Sequence, residues 1–166
     1  KDKIDKLRNF GFAGETQVIE TGINCKMNEF QAALGLIQLR YFDEAILKRK
    51  KIALSYIENI NSIKGLSIIP SDPELVNNYS YLPILIKEDY PLSRDELYTK
   101  LKKHNIKSRR YFYPLISNFP MYKNLSSSKI DNLQIASYIS DRVLCLPIYP
   151  DLDNSSFKAI INCIKF

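Results

Sequence analysis

A long uninterrupted helix is the strongest structural signal in this chain. Neither glycine nor proline, the residues that most often interrupt a helix, occurs between Gly35 and Gly65. Upstream, Asn28 is a candidate N-cap with Gln31 at the capping-box position. We therefore predict one helix of more than about thirty residues, or two joined by a kink, of the kind that connects two domains. Its apolar face begins with spacings of three and four residues at Met27, Phe30, Leu34 and Ile37 and continues through Tyr41, Ala45, Ile52, Tyr56 and Ile60.

The remainder of the chain after Gly65 predicts an α+β layout. Short apolar runs alternate with helical patterns in the order strand, strand, helix, strand, helix, strand, helix, which favours a small sheet with helices on one face. Pro83 indicates an edge strand or a bulge, because proline cannot donate a ladder hydrogen bond. The predicted strands are 66–69, 79–86, 106–112 and 143–146. The predicted helices are 93–104, capped by Ser93 with Glu96; 130–141, with Ile135, Ala136 and Ile139 on one face; and one from Ser155 or Ser156.

Charge and composition exclude several classes of protein. The chain has 24 Lys+Arg against 18 Asp+Glu, a formal charge of +6. Four consecutive cations from Lys48 to Lys51 point in different directions on a helix, which favours a solvated surface over a nucleic-acid patch. No apolar run approaches the ~20 residues of a membrane span, and the charged N-terminus is unlike a signal peptide. We therefore expect no nucleic-acid partner and no membrane association.

The cysteine and histidine content predicts a cytoplasmic protein without a metal site. Three widely spaced cysteines argue against a disulfide scaffold, and one histidine with no C-x-x-C pair argues against zinc. His104 ends a predicted helix and is expected at the surface. Cys25 lies near a helix start but has no evident base, so we do not expect a reactive thiol.

Two segments have residue types suited to anionic ligands. Residues 107–114 combine arginines, which bond phosphates in pairs, with aromatic rings, which stack on bases. The pattern suits a nucleotide or a nucleic acid, and an edge strand with solvated arginines fits it equally well. Residues 22–28 precede a helix start, where free amides favour an anion and Asn24 and Lys26 add donors. Ordinary capping and turn chemistry is the alternative there.

The same segments resemble a known family. Two stretches carry the resemblance: Arg8 to Phe12, and Gly22 to Leu39, which contains a Gly-x-Asn-x-Lys-Met motif followed by a predicted helix with the sequence Gln-Ala-Ala-Leu-Gly. Together they are similar to the signature of the DegT/DnrJ-type sugar aminotransferases. The segment ending in Tyr-Pro-Leu at Leu115 and the Leu-Pro-Ile-Tyr-Pro segment at 146–150 resemble two further motifs of that family. The Arg-Arg-Tyr-Phe-Tyr-Pro form resembles members that aminate dTDP-4-keto- or 3-keto-6-deoxyhexoses, the dTDP-4-amino-4,6-dideoxyglucose (viosamine) branch first.

This resemblance implies an α/β pyridoxal phosphate (PLP) dependent transferase of fold type I, of which this chain is the C-terminal α+β portion. That portion is a small, mostly antiparallel sheet with helices plus the connecting helix. Residues 1–45 would be a remnant of the large PLP-binding domain with the start of that helix, and residues 46–166 the small domain. In the family the Schiff-base lysine lies upstream of the Gly-x-Asn motif, so we expect no catalytic residue here and no activity from this chain alone.

The resemblance also implies a reaction and its binding residues. The intact enzyme would transfer an amino group, from glutamate, to a nucleotide-linked keto sugar for surface polysaccharide or antibiotic sugar biosynthesis. It would act as a homodimer whose active sites are shared across the interface. A stand-alone nucleotide-binding or dimerisation module is the alternative. By position, the cofactor-binding residues are Asn24, which reaches the neighbouring subunit's PLP phosphate, and Lys26, and the substrate-binding residues are Arg109, Arg110, Tyr111 and Tyr113.

Overall fold

The computed structural model describes residues 1–69, 72 and 74–165. The chain divides into two compact units, Lys1–Asp43 and Glu44–Phe166. Among the described residues no helix is long and apolar enough to cross a membrane. The helices are α1 (Asp2–Leu7), α2 (Glu29–Ile60), α3 (Arg94–Lys103), α4 (Gln134–Arg142) and α5 (Asn154–Ile164), and the strands are β1 (Leu66–Ile68), β2 (Leu82–Ile86) and β3 (Val143–Leu146).

Helix α2 forms as one element of 32 residues, as the absence of glycine and proline after Gly35 predicts. Its capping box is present: the Gln31 amide donates to Asn28 Oδ1 at 2.9 Å, and the Asn28 amide donates to Gln31 Oε1 at 3.2 Å. The boundary between the two units falls within this helix, after Asp43.

The first unit contains short backbone pairings and exposed apolar side chains. Phe12 pairs with Val18, and Asn9 pairs with Asn24, as isolated antiparallel bridges. Every buried hydrophobic side chain among the described residues lies outside this unit, from Ala53 onward. The apolar face that the spacing predicts for the first half of α2 is therefore exposed, and Phe30 is 88% exposed.

The second unit contains a three-stranded antiparallel sheet in the order β1-β2-β3. Leu66 pairs with Ile86 across β1 and β2, and Leu82 pairs with Leu146 across β2 and β3. Helix α3 contacts α5 and β3, and α4 contacts β2. This confirms the predicted α+β arrangement. Its core combines the second half of α2 with the sheet and helices, and the largest fully buried side chains are Tyr56, Ile60, Ile84, Leu97, Leu101, Leu144 and Ile164.

The prediction of an edge or bulge at Pro83 is wrong, because β2 is the central strand. Pro83 lies opposite Cys145. The Cys145 amide donates to the Arg109 carbonyl at 2.7 Å, and the Cys145 carbonyl accepts from the Arg109 amide at 3.0 Å. Both hydrogen bonds lie on the side of β3 that faces away from β2. Pro83 therefore occupies a non-hydrogen-bonded pair, and its nitrogen faces the side on which β1 has ended, since Ile68 pairs with Ile84.

The strand predicted at 106–112 does not form. Arg109 makes an isolated antiparallel bridge to Cys145. The chain then turns, because the Tyr113 amide donates to the Arg110 carbonyl at 2.9 Å. The described sheet consequently has three strands rather than the four expected.

The helix predicted at 130–141 begins later than expected. Residues Ile130–Asn132 form a 3-10 turn and α4 starts at Gln134. Leu133 separates the two elements, with φ −131° and ψ 30°, outside the α-helical region. The apolar periodicity of the segment is thus divided between two elements.

The apolar face of α4 is not the face that the structure buries. Ile135 is 81% exposed, Ala136 is exposed and Ile139 is half-buried, whereas Ser140 is buried. The Ser140 hydroxyl donates to the Ser137 carbonyl at 3.0 Å. Because the side of α4 that faces inward contains serines, it gives no apolar periodicity in the sequence. The apolar residues that do recur lie on the opposite, more exposed side.

Helices α3 and α5 begin with side-chain caps. Ser93 and Glu96 form the predicted capping box of α3. The N-cap of α5 is Asp153, two to three residues before the predicted start, and its Oδ1 accepts the Ser156 amide at 2.9 Å. Hydrogen bonds from Ser155 and Ser156 hold the pKa of Asp153 below its ordinary value.

Candidate functional site

The segment that contains Asn24 is joined to the end of α1 by backbone hydrogen bonds. The Ile23 amide donates to the Leu7 carbonyl at 2.8 Å, and the Phe10 amide donates to the Ile23 carbonyl at 3.1 Å. The Cys25 amide donates to the Arg8 carbonyl at 2.9 Å. The two sequence stretches whose motifs are most distinctive, 8–12 and 22–39, are therefore adjacent.

Two glycines make this junction possible. A Cβ on Gly22 would lie 2.3 Å from the Gly11 nitrogen and 2.5 Å from the Leu7 carbonyl oxygen. Gly11 itself has φ +83°, and a Cβ there would lie 1.7 Å from the Glu20 carbonyl oxygen. The backbones approach so closely that any side chain at either position would force them apart.

Asn24 and Lys26 are exposed and lie two residues apart. The Lys26 ammonium donates to Asn9 Oδ1 at 2.8 Å and lies 4.7 Å from the centre of the Phe10 ring. Asn24 is held through its backbone, by the bridge to Asn9. This arrangement places a carboxamide and an ammonium group at the surface of the first unit.

The helix start beside them is occupied by its own cap. The Asn28 and Gln31 amides bond each other's side chains. The Glu29 carboxylate also lies in the first turn, where it disfavours a second anion. The side chains of Asn24 and Lys26, rather than these capped amides, are the anion donors that this segment offers.

The second unit contains a cavity of about 640 Å³. Two cationic side chains, Lys107 and Arg109, and several tyrosines line it. Two of the predicted substrate-binding residues, Arg109 and Tyr111, are among these lining residues, and the other two are not. The lining residues are Ser80, Tyr81, His104, Asn105, Ile106, Lys107, Arg109, Tyr111, Cys145, Leu146, Pro147, Ile148, Tyr149, Leu152, Ser156, Ala159 and Ile160.

Arg109 and Tyr111 contact each other on the cavity side. The Arg109 guanidinium donates a hydrogen bond to the Tyr111 hydroxyl, and its carbon lies 5.3 Å from the centre of that ring. The Tyr81 ring meets the Tyr111 ring edge-on at 5.3 Å. Hydrogen bonding to Tyr111 raises the pKa of Arg109 further above its already high value, so the cavity holds a permanent positive charge.

Arg110 and Tyr113 lie instead against α3. Arg110 Nη1 donates to Asp95 Oδ1 at 2.9 Å, and its guanidinium lies 4.6 Å from the Tyr98 ring. The Tyr113 ring lies 4.3 Å from the guanidinium of Arg94. Phe112, which would share a face with Arg110 in the strand predicted at 106–112, instead stacks on Tyr111 with ring centroids 4.7 Å apart.

Sequence reasoning missed several residues of this region. Tyr81, Lys107 and Tyr149 line the cavity, and Asp95 pairs with Arg110. Tyr81 lies just before β2, and its proximity to Tyr111 depends on the turn at 110–113, so no local pattern indicates it. His104 is exposed, as predicted, and also lines the cavity.

The three cysteines differ in exposure. Cys25 is exposed, whereas Cys145 and Cys163 are buried. Burial raises the pKa of both buried thiols and so disfavours the reactive thiolate.

Two curated relatives match most of the chain. It is 51% identical over 153 residues to a dTDP-4-amino-4,6-dideoxy-D-glucose transaminase from Escherichia coli, covering 92% of this chain and 41% of that protein. It is 40% identical over 165 residues to a Shigella dysenteriae protein of the same name, covering 99% and 44%. The chain thus spans less than half the length of these curated relatives.

Solved structures and a family profile agree with those relatives. The chain matches DesV from S. venezuelae, solved with a ketimine intermediate, with a TM-score of 0.86 at 21% identity over 99% of this chain and 43% of that one. It matches DesI, solved with its TDP-sugar product, with a TM-score of 0.82 at 26% identity over 96% and 40%. The profile of the DegT/DnrJ/EryC1/StrS aminotransferases matches residues 1–165, and this chain belongs to that family.

Proposed function

We propose that this chain functions within a PLP-dependent aminotransferase that transfers an amino group, from glutamate, to the keto carbon of a dTDP-linked deoxy sugar. The observation that carries the proposal is the 51% identity to a dTDP-4-amino-4,6-dideoxy-D-glucose transaminase over 92% of the chain. The arginine and tyrosines that line the cavity supply chemistry suited to such a substrate.

Asn24 and Lys26 are the residues proposed to bind PLP through its phosphate. The donor set fits the group, because an exposed carboxamide and an exposed ammonium group match a dianionic oxyanion. When bound, PLP supplies the electron sink for amino transfer. Asn24 and Lys26 would hold and orient it, and Gly11 and Gly22 keep their segment against α1.

Arg109, Arg110, Tyr111 and Tyr113 are proposed as the nucleotide-sugar region. Arg109 offers a guanidinium to the diphosphate, since a planar fork of donors matches two phosphate oxygens. Tyr81, whose ring meets Tyr111 edge-on at 5.3 Å, offers aromatic surface for a base or sugar ring, while Phe112 covers one face of Tyr111. The Tyr111 hydroxyl already accepts a hydrogen bond from Arg109, which keeps the two side chains together on the cavity side.

The proposal extends to the domain organisation and the oligomeric state of the intact enzyme. Residues 1–45 would belong to the large domain with the start of the connecting helix, and residues 46–166 would form the small domain. We propose a cytoplasmic homodimer with active sites shared across the interface, serving surface polysaccharide (O-antigen, lipopolysaccharide) or antibiotic sugar synthesis. The exposed apolar side chains of α2, including Phe30 and Leu34, support an interface because such continuous patches usually become covered.

Binding of thymidine 5′-diphosphate to the purified chain, measured by calorimetry, tests the substrate site. Arg109→Gln should weaken binding about tenfold or more, because a charge-assisted phosphate contact is lost. Arg40→Gln, on the exposed surface of α2, is the matched control and should bind as the original chain does. Equal affinity in the Arg109 and Arg40 variants would contradict the assignment.

The cofactor site is tested in the holoenzyme. Asn24→Ala should weaken PLP retention during dialysis, and unchanged retention would rule out its role. A second experiment distinguishes a fragment of an aminotransferase from a stand-alone binding module. The 166-residue chain is mixed with PLP, and its absorbance is recorded before and after borohydride reduction. A lysine adduct at one defined position would contradict the expectation that the Schiff-base lysine lies elsewhere.

A further inference from the structure

Arg94, at the start of α3, is a buried cation that supports the loop of residues 109–113. Its side chain is 3% exposed. Its Nη1 donates to the Ser140 carbonyl at 2.8 Å, and its Nε lies 2.7 Å from Asp95 Oδ1. Its guanidinium also lies 4.3 Å from the Tyr113 ring. A buried charge is tolerated only when it is paired and hydrogen-bonded, so these contacts hold Arg94 in one place.

Asp95 joins this buried cation to the loop. One carboxylate oxygen lies 2.7 Å from Arg94 Nε and 2.9 Å from Arg110 Nη1. Although partial burial acts in the opposite direction, the hydrogen bond from Arg110 and the positive charges of Arg94 and Arg110 lower the pKa of Asp95 below its ordinary value. The carboxylate therefore stays ionised at neutral pH and balances two arginines that would otherwise repel each other.

The loop consequently has two sides with different partners. Arg110 and Tyr113 are held by α3, through Asp95, Arg94 and Tyr98. Arg109 and Tyr111 line the cavity. The turn at 110–113 is short, and its ends, Arg110 and Tyr113, are both fixed against α3. This limits the directions in which the backbone can orient Arg109 and Tyr111.

We propose that Asp95 and Arg94 are positioning residues for the substrate cavity, which they serve by holding Arg110 and Tyr113 so that Arg109 and Tyr111 point into it. This rests on the proposed function in taking the cavity as the nucleotide-sugar site. Within the proposed substrate set, Arg110 and Tyr113 then act as the anchored ends of the loop, and Arg109 and Tyr111 make the contacts with substrate.

Asp95→Asn tests this proposal in the 166-residue chain, because it removes the shared charge while keeping the shape. Asp131→Asn, an exposed carboxylate on a 3-10 turn, is the matched control. Two readouts are needed: the affinity for thymidine 5′-diphosphate by calorimetry, and the hydrogen-exchange rate of the Tyr113 amide, which reports the turn directly. Urea unfolding of each variant separates loop opening from global loss of structure.

We expect Asp95→Asn to weaken binding about three- to tenfold and to speed exchange at Tyr113, with the control unchanged. The double variant Asp95→Asn/Arg109→Gln should bind no more weakly than Arg109→Gln alone, since Asp95 acts through Arg109. Asp95→Glu, which restores the charge, should recover part of the affinity. A simple loss of fold would not produce this non-additivity or this recovery.

Unchanged exchange at Tyr113 would overturn the proposal, and so would additive losses in the double variant. Faster exchange with unaltered affinity would show that the contacts hold the loop without serving the cavity, which also overturns it. Failure of the unaltered chain to bind thymidine 5′-diphosphate would instead contradict the nucleotide site itself, and the positioning role of Asp95 for that site would fall with it, whatever the exchange rate at Tyr113.

Discussion

The two halves of α2 have similar apolar spacing and opposite burial. In the first half Phe30 and Leu34 are 88% and 59% exposed, whereas in the second half Tyr56 and Ile60 are fully buried. The helix itself is continuous. Periodic apolar residues thus indicate which face of a helix will contact something, but not whether the contact lies within the same chain.

The buried half shows what the exposed half lacks. Tyr56 packs its ring 4.7 Å from Phe157 and donates its hydroxyl to the Pro147 carbonyl at 3.0 Å. Burial raises the pKa of that hydroxyl well above its ordinary value. The first half has no comparable contacts among the described residues. The proposed homodimer would supply them, and we therefore expect self-association there.

The largest effect should come from shortening the same residue in each half. Ile60→Ala, in the core, should lower the free energy of unfolding by about 2–5 kcal/mol through lost transfer energy and a cavity. Ile37→Ala, at a side chain that is 50% exposed, should change it by less than about 0.5 kcal/mol. Urea unfolding followed by circular dichroism measures both.

Sedimentation velocity measures the effect of the same two variants on self-association. Ile37→Ala should weaken self-association, and Ile60→Ala should not do so at concentrations where it remains folded. An Ile37→Ala chain as unstable as Ile60→Ala would mean that the exposed half packs within its own chain in solution.

A smaller effect is expected from the matching capping boxes, one in each unit. Ser93→Ala should lower the free energy of unfolding by about 0.5–2 kcal/mol, because α3 buries Leu97 and Leu101 in the core. Asn28→Ala should mainly reduce helical content at 222 nm, since the turn that Asn28 caps supports no buried side chain in the described residues. Equal losses of unfolding free energy would show that the start of α2 is as firmly packed as α3.

The smallest effect is a pH dependence in the second unit. Tyr90 is 5% exposed and donates its hydroxyl to the Ile164 carbonyl at 2.7 Å. Burial, with a lesser contribution from Cys163, raises the pKa of Tyr90 from 10.0 to about 12. The unfolded phenol therefore ionises first, and stability that is complete below pH 10 falls as the pH rises toward 12.

Unfolding at pH 8 and pH 10.5 should show this loss, at about 1 kcal/mol or less for this group. Tyr90→Phe removes the ionisable hydroxyl and should reduce the difference between the two pH values. A difference that is the same in both chains would assign the pH dependence to other groups.

Local signals explain which parts of the fold were predictable. The capping boxes at Asn28 and Ser93 and the continuity of α2 depend on residues a few positions apart, and each is confirmed. The buried face of α4 includes Ser140, whose carbonyl accepts a hydrogen bond from Arg94 of a helix distant in sequence. Apolar periodicity contains no information about such a contact, and the apolar face with Ile135 is exposed instead.

The candidate site likewise has a part that the sequence predicts and a part that depends on contacts distant in sequence. Family motifs identify the loop with Arg109, Arg110, Tyr111 and Tyr113, and the family itself is confirmed by the profile match over residues 1–165. The separation of these four residues into a cavity side and an α3 side depends on Asp95 and on the pairing of Arg109 with Cys145. Those partners are distant in sequence, so the roles of the four residues stay predictions for the experiments above.

Pro83 in the central strand has a consequence for how this sheet behaves in a crowded solution. Where β1 ends at Ile68, the neighbouring strip of β2 presents a residue with no amide hydrogen. A strand arriving there from another molecule would find no amide donor at Pro83, which disfavours strand addition at this position. We expect this proline to lower the tendency of a short, apolar sheet to aggregate through its own backbone.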